Sequence, residues 1–159
     1  MSIRNNSKLF IITALMGFVI AIPGVRADGV LTAKSAAHDR EELMEMAGFA
    51  TKTASKMIEG KTPWDGKKAE LAMRTLQAVG LAFGHKVPEG SITEDSEASP
   101  DIWKNMKDFQ HLVAELEEHG DRAAKAASKG LEAFKPEFEA TVKYCKTCHK
   151  KYRIKKKKS

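Results

Sequence analysis

The spacing of apolar side chains along the chain predicts helices and almost no strands. From residue 31 to 59 these side chains recur every three or four positions, which is the period of an amphipathic helix. Gly60 ends this first helix, since glycine commonly follows a helix C-terminus. Asp65 is a suitable N-cap for a second helix that runs to about Phe83, because its carboxylate can accept a backbone amide.

A polar connection from 84 to 99 separates these two helices from two more. Pro100 suits the first turn of the third helix, where no amide hydrogen is needed, and Ser99 is its predicted cap. The sequence does not define the residue at which the third helix ends, because Gly120 interrupts the helical pattern there. Pro136 either begins the fourth helix or kinks it. Four amphipathic helices predict an all-α protein, an antiparallel four-helix bundle.

The first 27 residues have the pattern of a secretory signal peptide. Basic residues precede an apolar run of 14 residues, and the small residues Val25 and Ala27 mark a cleavage site. A membrane-spanning helix needs ~20 apolar residues, so this run is too short for an anchor. The sequence predicts cleavage after Ala27 and an exported domain over 28–159, in which 154–159 form a basic tail.

Positive charge is concentrated at the C-terminal end. The chain has 27 basic and 21 acidic residues, a formal net charge of +6. Residues 143–158 hold nine basic residues and no acidic one, whereas 28–142 hold 15 basic and 21 acidic residues. Such an asymmetric chain steers charged partners. Because the basic residues occupy one end of an exported protein, they predict docking to acidic protein surfaces rather than to nucleic acid.

Cys145 and Cys148, the only cysteines, lie three positions apart with His149 directly behind them. On a helix these positions share one face. The C-x-x-C-H pattern indicates attachment of a c-type haem, with two thioethers and a histidine ligand to the iron. Three alternatives stay open: a redox dithiol, which fits poorly near a helix C-terminus; a zinc site, which has no second ligand pair; and a disulfide, which leaves His149 without a role.

The segments C-K-T-C-H-K-K-Y-R and S-P-D-I-W-K-N-M-K-D-F, with a K-G turn after the first helix, resemble the class II c-type cytochromes, the cytochrome c′ group. The resemblance covers residues 30–153, and cytochrome c′ is itself a standard example of a four-helix bundle. It implies a periplasmic electron-transfer protein rather than an enzyme, with one haem c attached covalently through Cys145 and Cys148 and ligated by His149. It also implies redox partner proteins and leaves a homodimer open.

The resemblance implies roles for three residues outside the motif. Met44, sixteen positions before Gly60, matches the residue that faces the iron on the distal side. Arg40, one turn earlier, matches a basic residue that contacts a haem propionate in many members. Arg153 matches an arginine close to the proximal side of the haem.

Met44 separates the functional hypotheses. As a sixth ligand, its thioether would raise the reduction potential, which suits a one-electron carrier, the main hypothesis. If Met44 only crowds the iron, a five-coordinate, high-spin haem would bind nitric oxide or carbon monoxide, and Arg40 is typical of that branch. The third hypothesis is a non-haem bundle whose cysteines form a disulfide or a metal clip.

The last predictions concern the positions of two aromatic residues and of the histidines outside the motif. Phe138 and Tyr152 share helix register with the motif and are predicted to reach the macrocycle. The histidines outside the motif are predicted to be surface residues, namely His38, His85, His111 and His119.

Overall fold

The computed structural model describes residues 32–94 and 96–154, which form five helices. The predicted signal peptide and most of the basic tail lie outside the described residues. Thr32 and Asp65 cap the first two helices, each side chain accepting a backbone amide three positions later, at 3.0 and 3.1 Å. The helices are α1 (Ala33–Ile58), α2 (Gly66–Gly84), α3 (Asp101–Lys104), α4 (Met106–Ala127) and α5 (Leu131–Tyr152).

The predicted third helix is divided into two. It ends at Lys104 and a new helix begins at Met106, because Asn105 has non-helical backbone angles, φ −127° and ψ 38°. Ser99 has its predicted role, since its hydroxyl accepts the Asp101 amide at 3.1 Å. The division leaves α3 as one short turn that leads into the long α4.

Gly120 and Pro136 both lie inside helices. α4 continues through Gly120, and α2 packs against it at this point. A Cβ on Gly120 would lie 3.5 Å from atoms of Gln77 and Met73. α5 begins at Leu131 and contains Pro136. Of the two predicted alternatives, a helix start at Pro136 is therefore excluded, because the first turn of α5 precedes that residue.

Helices α1, α2, α4 and α5 form a four-helix bundle, which confirms the predicted all-α fold. Each long helix packs against the next in the chain, and α5 returns to α1, although these two approach each other at fewer positions than the other neighbours. Among the described residues, no helix combines enough length and apolar character to cross a membrane.

All four long helices contribute to one apolar cluster, which lies where the C-terminal half of α1 meets the N-terminal half of α5. Phe134 is fully buried at its centre, with its ring centroid 5.2 Å from that of Trp64. This first cluster consists of Ala50, Ala54, Met57, Ala69, Ala72, Met73, Leu76, Ala123, Ala124, Ala127, Phe134 and Phe138.

A second cluster lies at the C-terminal end of α5. Phe109 is fully buried between Phe83 and Tyr152, with ring centroids 6.2 and 5.6 Å away. Among the described residues, α1 contributes no side chain to this cluster. Its buried members are Val87, Ile102, Phe109, Leu112 and Tyr152, and the partly buried residues packed on them include Phe83, Tyr144 and Cys148.

Candidate functional site

Helix α5 carries both cysteines next to the second cluster. Cys145 and Cys148 are free, half-buried thiols, and Cys148 packs against that cluster. Their spacing on the helix, with His149 in the next position, places the three side chains on one face. Two thiols and an imidazole are thus available to one ligand that lies along this face of α5.

The ionisation of these groups disfavours a redox dithiol. Burial raises the pKa of Cys145, and burial together with the Cys145 charge raises the pKa of Cys148 to about 11. A reactive dithiol requires the opposite shift, because the thiolate is the nucleophile. Partial desolvation of the imidazole and the Arg153 charge lower the pKa of His149, although the residue is largely exposed. Its ring is therefore neutral at pH 7, the form that ligates a metal.

The height of Met44 relative to the cysteines follows from counting residues along α1 and α5. Ala54 on α1 and Phe138 on α5 share the first cluster. Met44 precedes Ala54 by ten residues and Cys148 follows Phe138 by ten residues, so each is about 15 Å along its helix in the same direction of the antiparallel bundle. Met44 is half-buried. This residue count predicts that Met44 lies on the helix next to α5 at about the level of the motif.

Arg40 is buried one turn before Met44, and only 4% of its surface is exposed. Its Nη1 donates to the Lys86 carbonyl at 2.7 Å and to the Ser91 hydroxyl at 3.0 Å. Its Nη2 donates to the Ser91 carbonyl at 2.8 Å and to the Ser96 hydroxyl at 3.1 Å. Its Nε is buried without a partner among the described residues. A buried donor without an acceptor is costly, so this nitrogen fits a carboxylate such as a haem propionate.

Two of the basic residues around the motif are already paired. The Lys151 ammonium donates to both carboxylate oxygens of Asp108, at 2.8 and 2.9 Å. Arg153 pairs with Glu97 through its Nε and Nη2, at 2.7 and 2.6 Å. The Arg153 amide also donates to the His149 carbonyl at 3.2 Å. In the structure, Arg153 therefore fixes the end of α5.

One histidine near the motif, His119, is not where the sequence predicted it. His119 lies against Tyr144, with ring centroids 4.4 Å apart, and only 13% of its side chain is exposed. The prediction that it is a surface residue is wrong, because α4 and α5 pack at this point; the other three histidines outside the motif are exposed. Phe138 packs in the first cluster, so only Tyr152 of the two predicted rings shares a cluster with a thiol.

These residues fit a covalently held haem. Two free thiols on one helical face, a neutral imidazole beside them and a buried arginine nitrogen without an acceptor match the thioether, axial and propionate contacts of such a group. Within the described part of the chain, no cluster of three or more His, Cys, Asp or Glu residues is arranged to hold a metal ion. A zinc clip at Cys145 and Cys148 therefore finds no further protein ligand there.

Comparison with known proteins agrees with this interpretation. The family model for cytochrome c′ matches residues 35–153. Cytochrome c-556 of Agrobacterium tumefaciens (strain B2A) is 29% identical over 117 residues, which cover 74% of this chain and 95% of the relative.

Solved structures share the fold. Cytochrome c prime of Shewanella frigidimarina superposes with a TM-score of 0.73 at 23% identity, covering 78% of this chain and 98% of that one. A ferrous variant of cytochrome c prime from Alcaligenes xylosoxidans with bound NO has a TM-score of 0.72 at 18% identity, covering 79% and 98%. The chain therefore belongs to the cytochrome c′ family and binds one covalently attached haem c.

Proposed function

We propose that this protein is a periplasmic one-electron carrier with a His149/Met44 axial pair. Membership of the family indicates a haem protein for electron transfer or gas binding, not a classical enzyme, and removes the non-haem hypothesis. The proposal is supported by the shared cluster of Ala54 and Phe138, from which residue counting puts Met44 and Cys148 at about the same height on neighbouring helices. The predicted signal peptide, residues 1–27, supports export to the periplasm.

Each residue of the site has a defined task in this proposal. Cys145 and Cys148 would hold the group by thioethers, and His149 and Met44 would ligate its iron. The iron, once bound, supplies reversible one-electron chemistry, and a methionine ligand raises its potential. The second cluster, which contains Phe109, packs against Cys148 and would offer an apolar surface beside the attachment site.

Replacing Met44 with alanine is expected to convert low-spin ferric haem to high-spin and to remove the methionine-to-iron charge-transfer band. The reason is that alanine offers no sixth ligand. Absorption spectroscopy of the ferric protein measures this directly. The matched control is Met46→Ala, because Met46 lies on the same helix with 51% of its surface exposed. An unchanged low-spin spectrum in the Met44 variant contradicts ligation by this residue.

The second candidate is a five-coordinate haem that binds nitric oxide or carbon monoxide. It is favoured by the relative from Alcaligenes xylosoxidans, whose solved variant holds NO, and by the resemblance of Arg40 to the high-spin branch. In that case Met44 lines the distal side without ligating. A high-spin ferric spectrum in the unaltered protein would select this function over the carrier.

The basic end of α5 is the proposed docking surface for acidic redox partners. Lys143, Lys146 and Lys150 are exposed around the motif. Exposed charges of one sign raise the encounter rate with oppositely charged partners, and added salt screens this effect.

Changing these three lysines to glutamine is expected to slow oxidation by ferricyanide roughly threefold at low salt, because the trianion loses its steering field. Stopped-flow kinetics at several salt concentrations measure this rate. With tris(phenanthroline)cobalt(III), a cationic oxidant, the same change should raise the rate. The matched control carries Lys67→Gln, Lys129→Gln and Lys135→Gln, which are exposed and outside the motif. Equal slowing in the control would contradict a localised docking surface.

Exposed apolar residues on α1 support a homodimer. Phe49 and Met46, three positions apart on one helix face, have 75% and 51% of their surface exposed. The Phe49→Glu variant is expected to sediment as a monomer at concentrations where the unaltered protein is a dimer, since a charge there opposes desolvation. Lys107→Glu, at an exposed position on α4 and away from this face, is the control. If Phe49→Glu leaves the sedimentation coefficient unchanged, this face does not form a dimer.

A further inference from the structure

The connection between α2 and α3 ties α1 to the C-terminal end of α5. We call residues 86–99 the strap, of which 86–94 and 96–99 are described. The strap receives all four hydrogen bonds from the Nη atoms of Arg40, at Lys86, Ser91 and Ser96. Near its C-terminal end, the Glu97 carbonyl accepts the Ile154 amide at 2.7 Å, and the Ser99 amide donates to the Tyr152 carbonyl at 2.9 Å.

Two anchors of the strap are buried, so water does not readily replace the hydrogen bonds at these residues. Ser91 and Ser99 have 2% and 7% of their surface exposed. Val87, at 8%, belongs to the second cluster together with Tyr152, and its carbonyl accepts the Trp103 indole at 3.1 Å. The strap is thus fastened to α1 by buried polar bonds and to the rest of the bundle by both polar and apolar contacts.

Within the described part of the chain, the second cluster does not reach α1, although Ala36, one turn before Arg40, is fully buried. Among the described residues α1 has no member in the second cluster, whereas it supplies three to the first. The direct link between α1 and the strap at the level of the motif is the polar one through Arg40, supplemented by the ion pair of Asp39 with Lys86 at 2.7 Å. The position of Met44, one turn after Arg40, therefore depends on these bonds.

We propose that the strap sets the spacing between α1 and α5 at the level of the haem, and that Arg40 is the positioning residue that holds it. This role rests on the proposed distal placement of Met44. It differs from a propionate contact, because the structure assigns both Nη atoms of Arg40 to the strap and leaves only Nε for another acceptor. Loosening the strap lets Met44 move away from the iron and opens the distal side to small ligands.

The test removes the two hydroxyl acceptors and keeps the arginine. The double variant Ser91→Ala/Ser96→Ala loses two of the four bonds, together with the bond from the Ala98 amide to the Ser96 hydroxyl, while the charge of Arg40 and its Nε stay in place. Carbon monoxide association with the ferrous haem protein is followed by flash photolysis. The expected rise is roughly threefold to tenfold, the size that follows from losing one or two hydrogen bonds. The direction is the same whether carbon monoxide displaces Met44 or passes it.

Two controls make the result decisive. Thr53→Ala/Ser128→Ala removes two hydroxyls that bond only to carbonyls of their own helices, and its association rate should equal that of the unaltered protein. Amide hydrogen exchange at Ile154 and Ser99 reports the strap directly, without reference to ligand binding, and should accelerate in the Ser91/Ser96 variant.

Unchanged exchange would overturn the claim that Arg40 holds the strap, and faster exchange with an unchanged association rate would overturn the positioning role.

A different pair of results would contradict the carrier proposal without contradicting the role of the strap. If Met44→Ala leaves the spectrum unaltered while the serine variant speeds association, Met44 is no ligand and the strap still controls distal access. Arg40→Lys keeps the charge but not the two-pronged geometry, and it is expected to behave like the serine variant.

Discussion

The double variant Cys145→Ala/Cys148→Ala is expected to lose all covalently attached haem. Both thiols are free and half-buried on one face of α5, and no other cysteine exists in the chain to form a thioether. Haem staining after denaturing electrophoresis should be absent for this variant and strong for the unaltered protein. Each single variant should keep its haem by one thioether and show a shifted pyridine haemochrome band.

Thr147→Ala is the matched control for the cysteine variants. Thr147 lies between the two cysteines, is half-buried and donates its hydroxyl to the Lys143 carbonyl at 2.9 Å. Its loss alters the same turn of α5 without removing a sulfur, so haem staining should be unchanged. Covalent haem in the double variant, or its loss in the threonine variant, would contradict attachment through the two thiols.

The second large effect is expected in the core. Phe109→Ala should lower the free energy of unfolding by about 3 to 5 kcal/mol, because it removes a fully buried ring and leaves a cavity. The ring also makes the aromatic contacts with Phe83 and Tyr152 that join α2, α4 and α5 beneath the motif. Urea unfolding of the haem-loaded protein, followed by circular dichroism, measures this loss.

Phe49→Ala serves as the comparison for Phe109→Ala, since 75% of Phe49 is exposed. In dilute solution, where association does not contribute, its effect should stay within about 0.5 kcal/mol. Equal destabilisation by the two changes would show that the second cluster does not stabilise this end of the bundle.

The four long helices could be predicted from the sequence because each buries one periodic stripe of small and apolar residues. The break at Asn105 could not. Asn105 donates its side-chain amide to the Asp101 carbonyl, and Ile102 is buried in the second cluster. The backbone at Asn105 changes direction because the short helix α3 packs against α4 and α5. Such tertiary contacts produce no periodic pattern of apolar residues in the sequence.

The candidate site, like the fold, could be predicted from the sequence only in part. Cys145, Cys148 and His149 are close in sequence, so spacing on one helix sufficed to group them. The environment of Arg40 was not predictable, because charged residues are seldom buried and its partners lie 46 to 56 positions away in a polar connection. A sequence pattern read along one helix does not show that Ser91 and Ser96 return to it.

The absorption spectrum of the purified, unaltered protein decides whether the iron has a His149/Met44 ligand pair. We expect haem bands that stay with the chain after denaturation, a low-spin ferric form and a methionine-to-iron charge-transfer band, as such a pair and attachment at Cys145 and Cys148 require. A high-spin ferric spectrum without that band would contradict the electron-carrier assignment, and the absence of haem bands would contradict the site itself.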